Sequence, residues 1–120
     1  MSDHRNKGKA VEVLWHLTPF RSDDFVEGLA PYAELAINYG AKGYLLLRQA
    51  DDELIVKQYA FFEKKEDWDR YWNSEAMINM RAELTGHYAV PLLYSWQEVV
   101  THGHVTEDSI EADAAASIDV

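Results

Sequence analysis

The chain has 120 residues, of which 48% are hydrophobic, and its formal net charge is −10. This length suits one domain with a modest core, and four tryptophans in so apolar a chain exclude wholesale disorder. The acidic balance argues against nucleic acid or an anionic membrane surface as a partner, because both require a positive contact surface. The absence of cysteine excludes disulfides, thiol catalysis and thiolate metal sites.

The two ends of the chain differ from its middle in composition. The amino-terminal segment MSDHRNKGKA is polar, and no run approaches the roughly 18 apolar residues that a membrane span needs. The end of the chain is acidic and carries no Lys or Arg after Val100. We therefore expect a cytoplasmic protein with a flexible arm over residues 1–10, one domain over residues 11–100 and an acidic tail over residues 101–120.

The first half of the domain predicts a strand followed by a helix. Residues 11–18 alternate between two faces, so that Trp15 and His16 point in opposite directions. Ser22 is a suitable N-cap for a helix over residues 22–38, and Gly40 is a suitable C-terminal stop. Pro31 lies inside the helical pattern and predicts a kink or two short helices.

The second half predicts a hairpin, a helical region and a last strand. Strands over residues 43–49 and 53–62 flank an Asp51-Asp52 turn. A helix over residues 66–72 follows, and Ser74 caps its continuation to about Gly86. The last strand covers residues 92–100. The order β-α-β-β-α-β predicts an α+β, ferredoxin-like domain with a four-stranded antiparallel sheet.

The predicted strands are apolar on both faces, which bears on the oligomeric state. Leu45 and Leu47 alternate with Leu46, and Ile55 alternates with Val56. Helices can cover one face of such a sheet, and the other face needs a second cover. A second copy of the sheet is the simplest cover, so we expect a homodimer.

Residues 54–100 carry a resemblance to a known family. A strand ends at Phe62, a helix carries Trp68 and Trp72, Ser74-Glu75 restarts the helix, and LLYSWQEVV forms the last strand. This order resembles the dimeric α+β barrel superfamily, and within it the antibiotic-biosynthesis-monooxygenase-like group. The resemblance extends over residues 11–100 as a fold pattern. It implies an oxidoreductase, a cofactor-independent monooxygenase acting on a hydrophobic aromatic small molecule without metal or flavin.

The aromatic residues of the helix are the predicted substrate contacts. Trp68 and Trp72 are four residues apart and lie on one helical face. The resemblance implies that this helix covers a pocket above the sheet, with Trp15 and Asn73 as further substrate-binding residues. A flat aromatic ligand would suit such a pocket, because it could stack on the rings. The alternative is that the tryptophans serve only core or dimer packing.

His16 and Tyr59 are the predicted catalytic residues. A histidine can titrate near neutral pH and act as a base or a hydrogen-bond donor. Tyr59 would orient the substrate. We hypothesise that His16 and Trp72 line one cavity, with the strand below it and the helix above. The alternative for His16 is a structural histidine with satisfied hydrogen bonds.

Two other functions remain open at this point. The first is a non-catalytic small-molecule-binding or stress-associated homodimer that uses the same pocket. The second is haem binding or degradation, in which the resemblance implies an iron-ligating histidine further along the second helix. Counting from Trp72, that position falls at Ala82, which cannot bind iron, and His87 lies more than a turn beyond. His102-Gly103-His104 is interpreted as a solvated segment and not as a metal site.

Overall fold

The computed structural model describes residues 9–103, which form a four-stranded antiparallel sheet with helices packed on one face. In chain order the elements are β1 (Lys9–His16), α1 (Ser22–Glu34), a 3₁₀ segment (Leu35–Tyr39), β2 (Gly43–Gln49), β3 (Asp52–Phe62), α2 (Lys65–Trp72), α3 (Glu75–Glu83) and β4 (Leu93–Glu98). The strand order is β2-β3-β1-β4. The predicted α+β, ferredoxin-like arrangement is confirmed. Most of the predicted arm, and residues 104–120 of the predicted tail, lie outside the described residues.

The start of α1 differs from the prediction. Ser22 is the first residue inside the helix, the N-cap position belongs to Arg21, and no side chain caps the helix there. Ser22 is buried, and its carbonyl oxygen accepts a hydrogen bond from Arg48 Nη2 at 3.0 Å. Arg48 Nη1 also pairs with Asp23 at 3.0 Å. The predicted cap at Ser22 is therefore wrong, because Ser22 lies one position inside the helix. Arg48 of β2 holds this helix end through the Ser22 carbonyl oxygen.

The end of the first helical region agrees with the sequence. α1 continues through Pro31 to Glu34 and changes to a 3₁₀ segment at Leu35, so the predicted division does not fall at Pro31 but four residues later, as a change of helix type. Gly40 has a φ of 104°, in the left-handed region that favours glycine. Its amide and that of Ala41 donate to carbonyl oxygens of the 3₁₀ segment. Gly40 is thus the C-terminal stop that the sequence predicts.

The second helical region is divided into α2 and α3. Ser74 Oγ accepts from the Met77 amide at 3.2 Å and donates to the Tyr71 carbonyl oxygen at 2.7 Å. The predicted cap is confirmed. Because the chain leaves helical geometry at Asn73 and Ser74, α3 starts on a new axis.

The core lies between the helices and one face of the sheet. Val11, Val13 and Trp15 are at most 1% exposed and point toward the helices. Their cross-strand partners on β3, Ala60, Gln58 and Val56, share that side. The alternating residues point the other way and form what we call the open face, which is uncovered in the single chain. The open face comprises Glu12, Leu14, His16, Leu45, Leu47, Ile55, Lys57, Tyr59, Phe61, Leu93 and Ser95.

Candidate functional site

Three of the four tryptophans meet between β1 and α2. The rings of Trp68 and Trp72 stack with centroids 5.0 Å apart and planes inclined by 20°. Trp15 lies 6.2 Å from Trp72, and Tyr94 lies within 6 Å of both helical tryptophans. We call these four residues the aromatic cluster. Trp15 and Trp68 are fully buried, whereas Trp72 is half-buried and Tyr94 is exposed, so the cluster reaches the surface along one side.

A chain of buried hydrogen bonds lies beneath the aromatic cluster. Trp15 Nε1 donates to Gln58 Oε1 at 3.0 Å, and Gln58 Nε2 donates to the Tyr71 hydroxyl at 3.1 Å. The Tyr71 hydroxyl donates in turn to the Tyr32 carbonyl oxygen at 2.6 Å. Burial raises the pKa of Tyr71, so its hydroxyl stays protonated as this chain requires. These hydrogen bonds fix the orientation of the Trp15 ring, and they give both polar atoms of the buried Gln58 side chain a partner.

Arg81 places a positive charge against the aromatic cluster. Its Cζ lies 4.1 Å from the centroid of the Trp72 ring, and its Nη2 donates to the Trp72 carbonyl oxygen at 2.9 Å. Nη1 is buried and has no hydrogen-bond partner in the described part of the chain. Burial lowers the pKa of Arg81, and no described carboxylate forms an ion pair with it. A partly desolvated guanidinium with a free donor favours an anionic or strongly accepting ligand group.

His16 lies on the opposite side of the sheet from this cluster. It is exposed and belongs to the open face, whereas its neighbour Trp15 is fully buried under the helices. The hypothesis that His16 and Trp72 line one cavity is therefore wrong, since adjacent residues of a strand point to opposite faces. The catalytic role of His16 stays a prediction.

Tyr59 also lies on the open face. It is the cross-strand partner of Glu12, and its hydroxyl donates a hydrogen bond to the Glu12 carboxylate. That hydrogen bond, followed by burial and the charge of Glu12, raises the pKa of Tyr59 to about 12. Tyr59 is consequently a protonated donor at neutral pH and does not serve as a base. The structure does not bring it to the aromatic cluster.

Asn73 is the remaining predicted site residue. It follows the last turn of α2 and is exposed, and its side-chain amide donates to the Asp69 carbonyl oxygen at 2.9 Å. Asn73 is the C-cap residue of α2, and its backbone amide donates to the same carbonyl oxygen. Trp15, Trp68 and Trp72 thus meet in one cluster, whereas His16, Tyr59 and Asn73 do not contact it through any interaction seen among residues 9–103.

The sequence reading missed Gln58 and Arg81. Gln58 could have been found, because it is a polar residue at a helix-facing position of an apolar strand, between Val56 and Ala60. No comparable sequence pattern indicates the position of Arg81, because its approach to Trp72 depends on the break between α2 and α3.

The described residues offer neither a metal site nor a membrane-spanning helix. Within residues 9–103, no group of three or more His, Asp or Glu side chains could hold a metal ion. His104 of the His102-Gly103-His104 segment lies outside the described residues. None of the described helices is long and apolar enough to cross a membrane.

Several solved structures share this fold. A candidate antibiotic biosynthesis monooxygenase from Nitrosomonas europaea superposes with a TM-score of 0.70 at 16% identity, over 78% of this chain and 99% of that one. A similar candidate from Bordetella bronchiseptica gives 0.67 at 19% identity, over 79% and 100%. A mutant of SnoaB, a cofactor-independent oxygenase from Streptomyces nogalater, gives 0.66 at 12% identity, over 78% and 94%.

The likeness is one of structure and not of close sequence. No protein-family model matches the sequence, and no curated protein matches it significantly. At these identities the superpositions establish the fold, and the fold agrees with the resemblance read from residues 54–100. The chain therefore has the ferredoxin-like α+β fold of the antibiotic-biosynthesis-monooxygenase-like proteins.

Proposed function

We propose that the chain is a cofactor-independent monooxygenase-like enzyme that acts on a hydrophobic aromatic small molecule at the Trp72–Arg81 side of the aromatic cluster. The observation that carries the proposal is the Arg81 guanidinium, which lies 4.1 Å from the Trp72 ring centroid. It has a buried free donor and no ion-pair partner among the described residues. An aromatic ligand with an ionisable oxygen would suit this arrangement, by packing against the accessible edge of the half-buried Trp72 ring and accepting from Arg81.

The proposed chemistry needs a substrate that can itself react with oxygen. A ring CH₂ that is conjugated with a carbonyl across the same ring, as in an anthrone, loses a proton to solvent and gives an enolate. The enolate carbon adds O₂ to form a hydroperoxide, and loss of water leaves a second ring carbonyl. In sum, CH₂ and O₂ become C=O and H₂O. Arg81 would stabilise the enolate oxygen electrostatically, and this lowers the barrier to proton loss.

Oxygen uptake with dithranol, a dihydroxyanthrone, tests this function. We expect uptake above the protein-free rate without added metal or flavin, and Arg81→Gln should lower it at least about tenfold. Arg70→Gln is a matched control. It removes an arginine that also lies over an aromatic ring, Tyr39, but is exposed and paired with Asp67. Uptake no faster than autoxidation, or equal loss in both variants, would reject the proposal.

A second candidate function is non-catalytic binding of the same ligand class. Among the cluster and its polar contacts, Gln58 does not titrate, Tyr71 holds its proton and Arg81 is a cation. None of these groups is a base at neutral pH, and His16 lies on the other face. A binder would show dithranol-dependent quenching of tryptophan fluorescence, lost in Arg81→Gln, without oxygen uptake.

The proposed working form is a homodimer joined through the open face. Leu45 and Leu47 are each 47% exposed there, and Leu93 is 71% exposed. Leu45 and Leu47 lie on β2 and Leu93 lies on β4, the two edge strands of the sheet, and Ile55 and Leu14 lie between them on the same face. The open face is therefore a broad apolar surface and not a set of isolated side chains. A second copy of the same sheet would cover this surface by symmetry. The aromatic cluster lies on the other side of the sheet, so dimerisation would leave the proposed ligand site accessible.

A further inference from the structure

A cavity lies away from Arg81, where β1 and β4 meet the start of α2. It has a volume of about 280 Å³ and is lined by Lys9, Lys65, Trp96, Gln97 and Glu98. Lys9 and Glu98 are cross-strand partners, and Trp96 lies on the same helix-facing side two residues before Glu98. Ligand pockets for small molecules start at about 300 Å³, so this cavity suits a molecule of about one ring.

The charges of this cavity are not neutralised within the described chain. Lys9 and Glu98 are neighbours in the sheet register, but neither they nor Lys65 form an ion pair with another residue of the range 9–103. Two ammonium groups therefore face one carboxylate, an excess of one positive charge in a chain whose formal charge is −10. A local positive site on an acidic protein concentrates small anions against the overall field.

The indole N–H group of Trp96, which lines this cavity, also lacks an acceptor. Trp96 Nε1 is buried and has no hydrogen-bond partner among residues 9–103; the same holds for Trp68 Nε1, although Trp68 does not itself line the cavity. Trp68 lies one turn after Lys65 on the same side of α2. Its ring contacts Tyr94 at 5.1 Å, and Tyr94 shares a strand face with Trp96. A buried donor without an acceptor is destabilising, and a ligand oxygen would relieve it.

We infer that this cavity is a binding site for a small aromatic carboxylate, separate from the proposed site at Arg81. Lys9 and Lys65 would hold the carboxylate, the Trp96 indole would donate to it or lie against the ring, and Glu98 would repel ligands that carry a second negative charge near it. The inference concerns binding and involves no chemical step. It rests on the cavity and its unpaired donors, and it does not depend on the proposed oxygenase activity.

Benzoate and its neutral analogue benzamide test the inference on the full chain. The four tryptophans give four indole N–H signals in a nitrogen–proton correlation spectrum, and Trp→Phe variants assign them. We expect benzoate to shift the Trp96 signal and benzamide to bind at least about tenfold more weakly. Equal binding of the two molecules would overturn the carboxylate site, and so would the absence of a Trp96 shift with benzoate.

Lysine variants then locate the charge contacts. Lys65→Gln and Lys9→Gln should each weaken benzoate binding about tenfold. Lys64→Gln is the matched control, since it removes a neighbouring lysine that does not line the cavity. Arg81→Gln should leave the Trp96 shift intact. If Arg81→Gln abolishes the Trp96 shift, and benzoate shifts the Trp72 signal in the unsubstituted chain, the anion binds at the Arg81 site and the inference is overturned. Failure of the dithranol assay would leave the benzoate site unaffected.

Discussion

Individual side chains at the aromatic cluster combine structural and ligand-binding roles. Trp72 touches Trp15, Trp68, Tyr94 and Arg81, so it is part of the packing although it is only half-buried. Substitution of Trp72 should therefore change the stability of the fold as well as the binding of any ligand. A phenylalanine keeps a ring for Arg81 and Trp68 to contact, whereas an alanine leaves a void.

Trp72→Ala should lower the free energy of unfolding by about 3 kcal/mol, and Trp72→Phe by about half of that or less. Denaturant unfolding followed by circular dichroism measures both. Ile78→Ala is a useful control, because Ile78 is a large apolar residue of α3 that is 49% exposed. A Trp72→Ala effect no greater than that of Ile78→Ala would show that Trp72 contributes little to packing.

The pair of Glu12 and Tyr59 predicts a specific alkaline response. The pKa of Tyr59 is about 12 in the folded chain, against about 10 for an ordinary tyrosine. The folded state therefore holds the phenol proton that the unfolded state releases first. This contribution to stability is fully present below about pH 10 and is lost as the pH rises toward the folded value.

Tyr59→Phe should remove the part of the alkaline stability loss that Tyr59 causes. Thermal unfolding midpoints measured from pH 8 to pH 11 would show it as a flatter curve than that of the unsubstituted chain. Tyr44→Phe on β2 serves as the control, since Tyr44 donates no hydrogen bond to a carboxylate within the described residues. If both variants keep the same slope as the unsubstituted chain, the hydrogen bond to Glu12 does not set this titration.

At the scale of elements, the break between α2 and α3 positions Arg81. The Ser74 cap ends one helix geometry and starts the next, and Arg81 then returns to the carbonyl oxygen of Trp72. A single guanidinium therefore links the last turn of α2 to the last turn of α3 across the break. Loss of the cap should loosen this connection as well as the start of α3.

Ser74→Ala should lower the free energy of unfolding by about 1 kcal/mol, the usual effect of losing an N-cap. Ser74→Asp retains an oxygen that can accept from the Met77 amide, and it should restore most of the loss. Chemical denaturation of the three chains provides the comparison. Equal stability of the Ala and Asp variants would mean that the cap bond seen at 3.2 Å contributes nothing net.

At the scale of the whole molecule, the proposed dimer interface on the open face and the proposed ligand site lie on opposite sides of the sheet. Light scattering should give about twice the 13.8 kDa chain mass. Leu47→Lys places a charge in the proposed interface and should shift the mass toward that of the single chain, because an unpaired charge is costly to bury. Ile78→Lys introduces the same charge at a residue of nearly equal exposure, 49% against 47%, on the helical side.

The two variants distinguish an interface from a general effect of charge. Dissociation by Leu47→Lys alone supports the open face as the interface. Dissociation by Ile78→Lys alone would place the interface on the helices, and a single-chain mass for the unsubstituted protein would reject the dimer.

The order of elements, the two faces of each strand, the stop at Gly40 and the cap at Ser74 could all be predicted from the sequence. Each depends on residues close together in the chain, through side-chain alternation or local hydrogen bonds. The same alternation already placed Trp15 and His16 on opposite faces. The proposal of a shared cavity failed because it took adjacency along the chain as adjacency in a site.

Only the tertiary structure decided which side chains meet. Trp15 and Gln58 are 43 residues apart and form a buried hydrogen bond, and Arg81 reaches Trp72 across a helix break. The start of α1 is held by Arg48 of β2, 26 residues away, which donates to the Ser22 carbonyl oxygen. Such contacts depend on sheet register and helix packing, which no local pattern specifies. The physical reason is that burial leaves each polar group dependent on a distant partner, and the fold alone provides that partner.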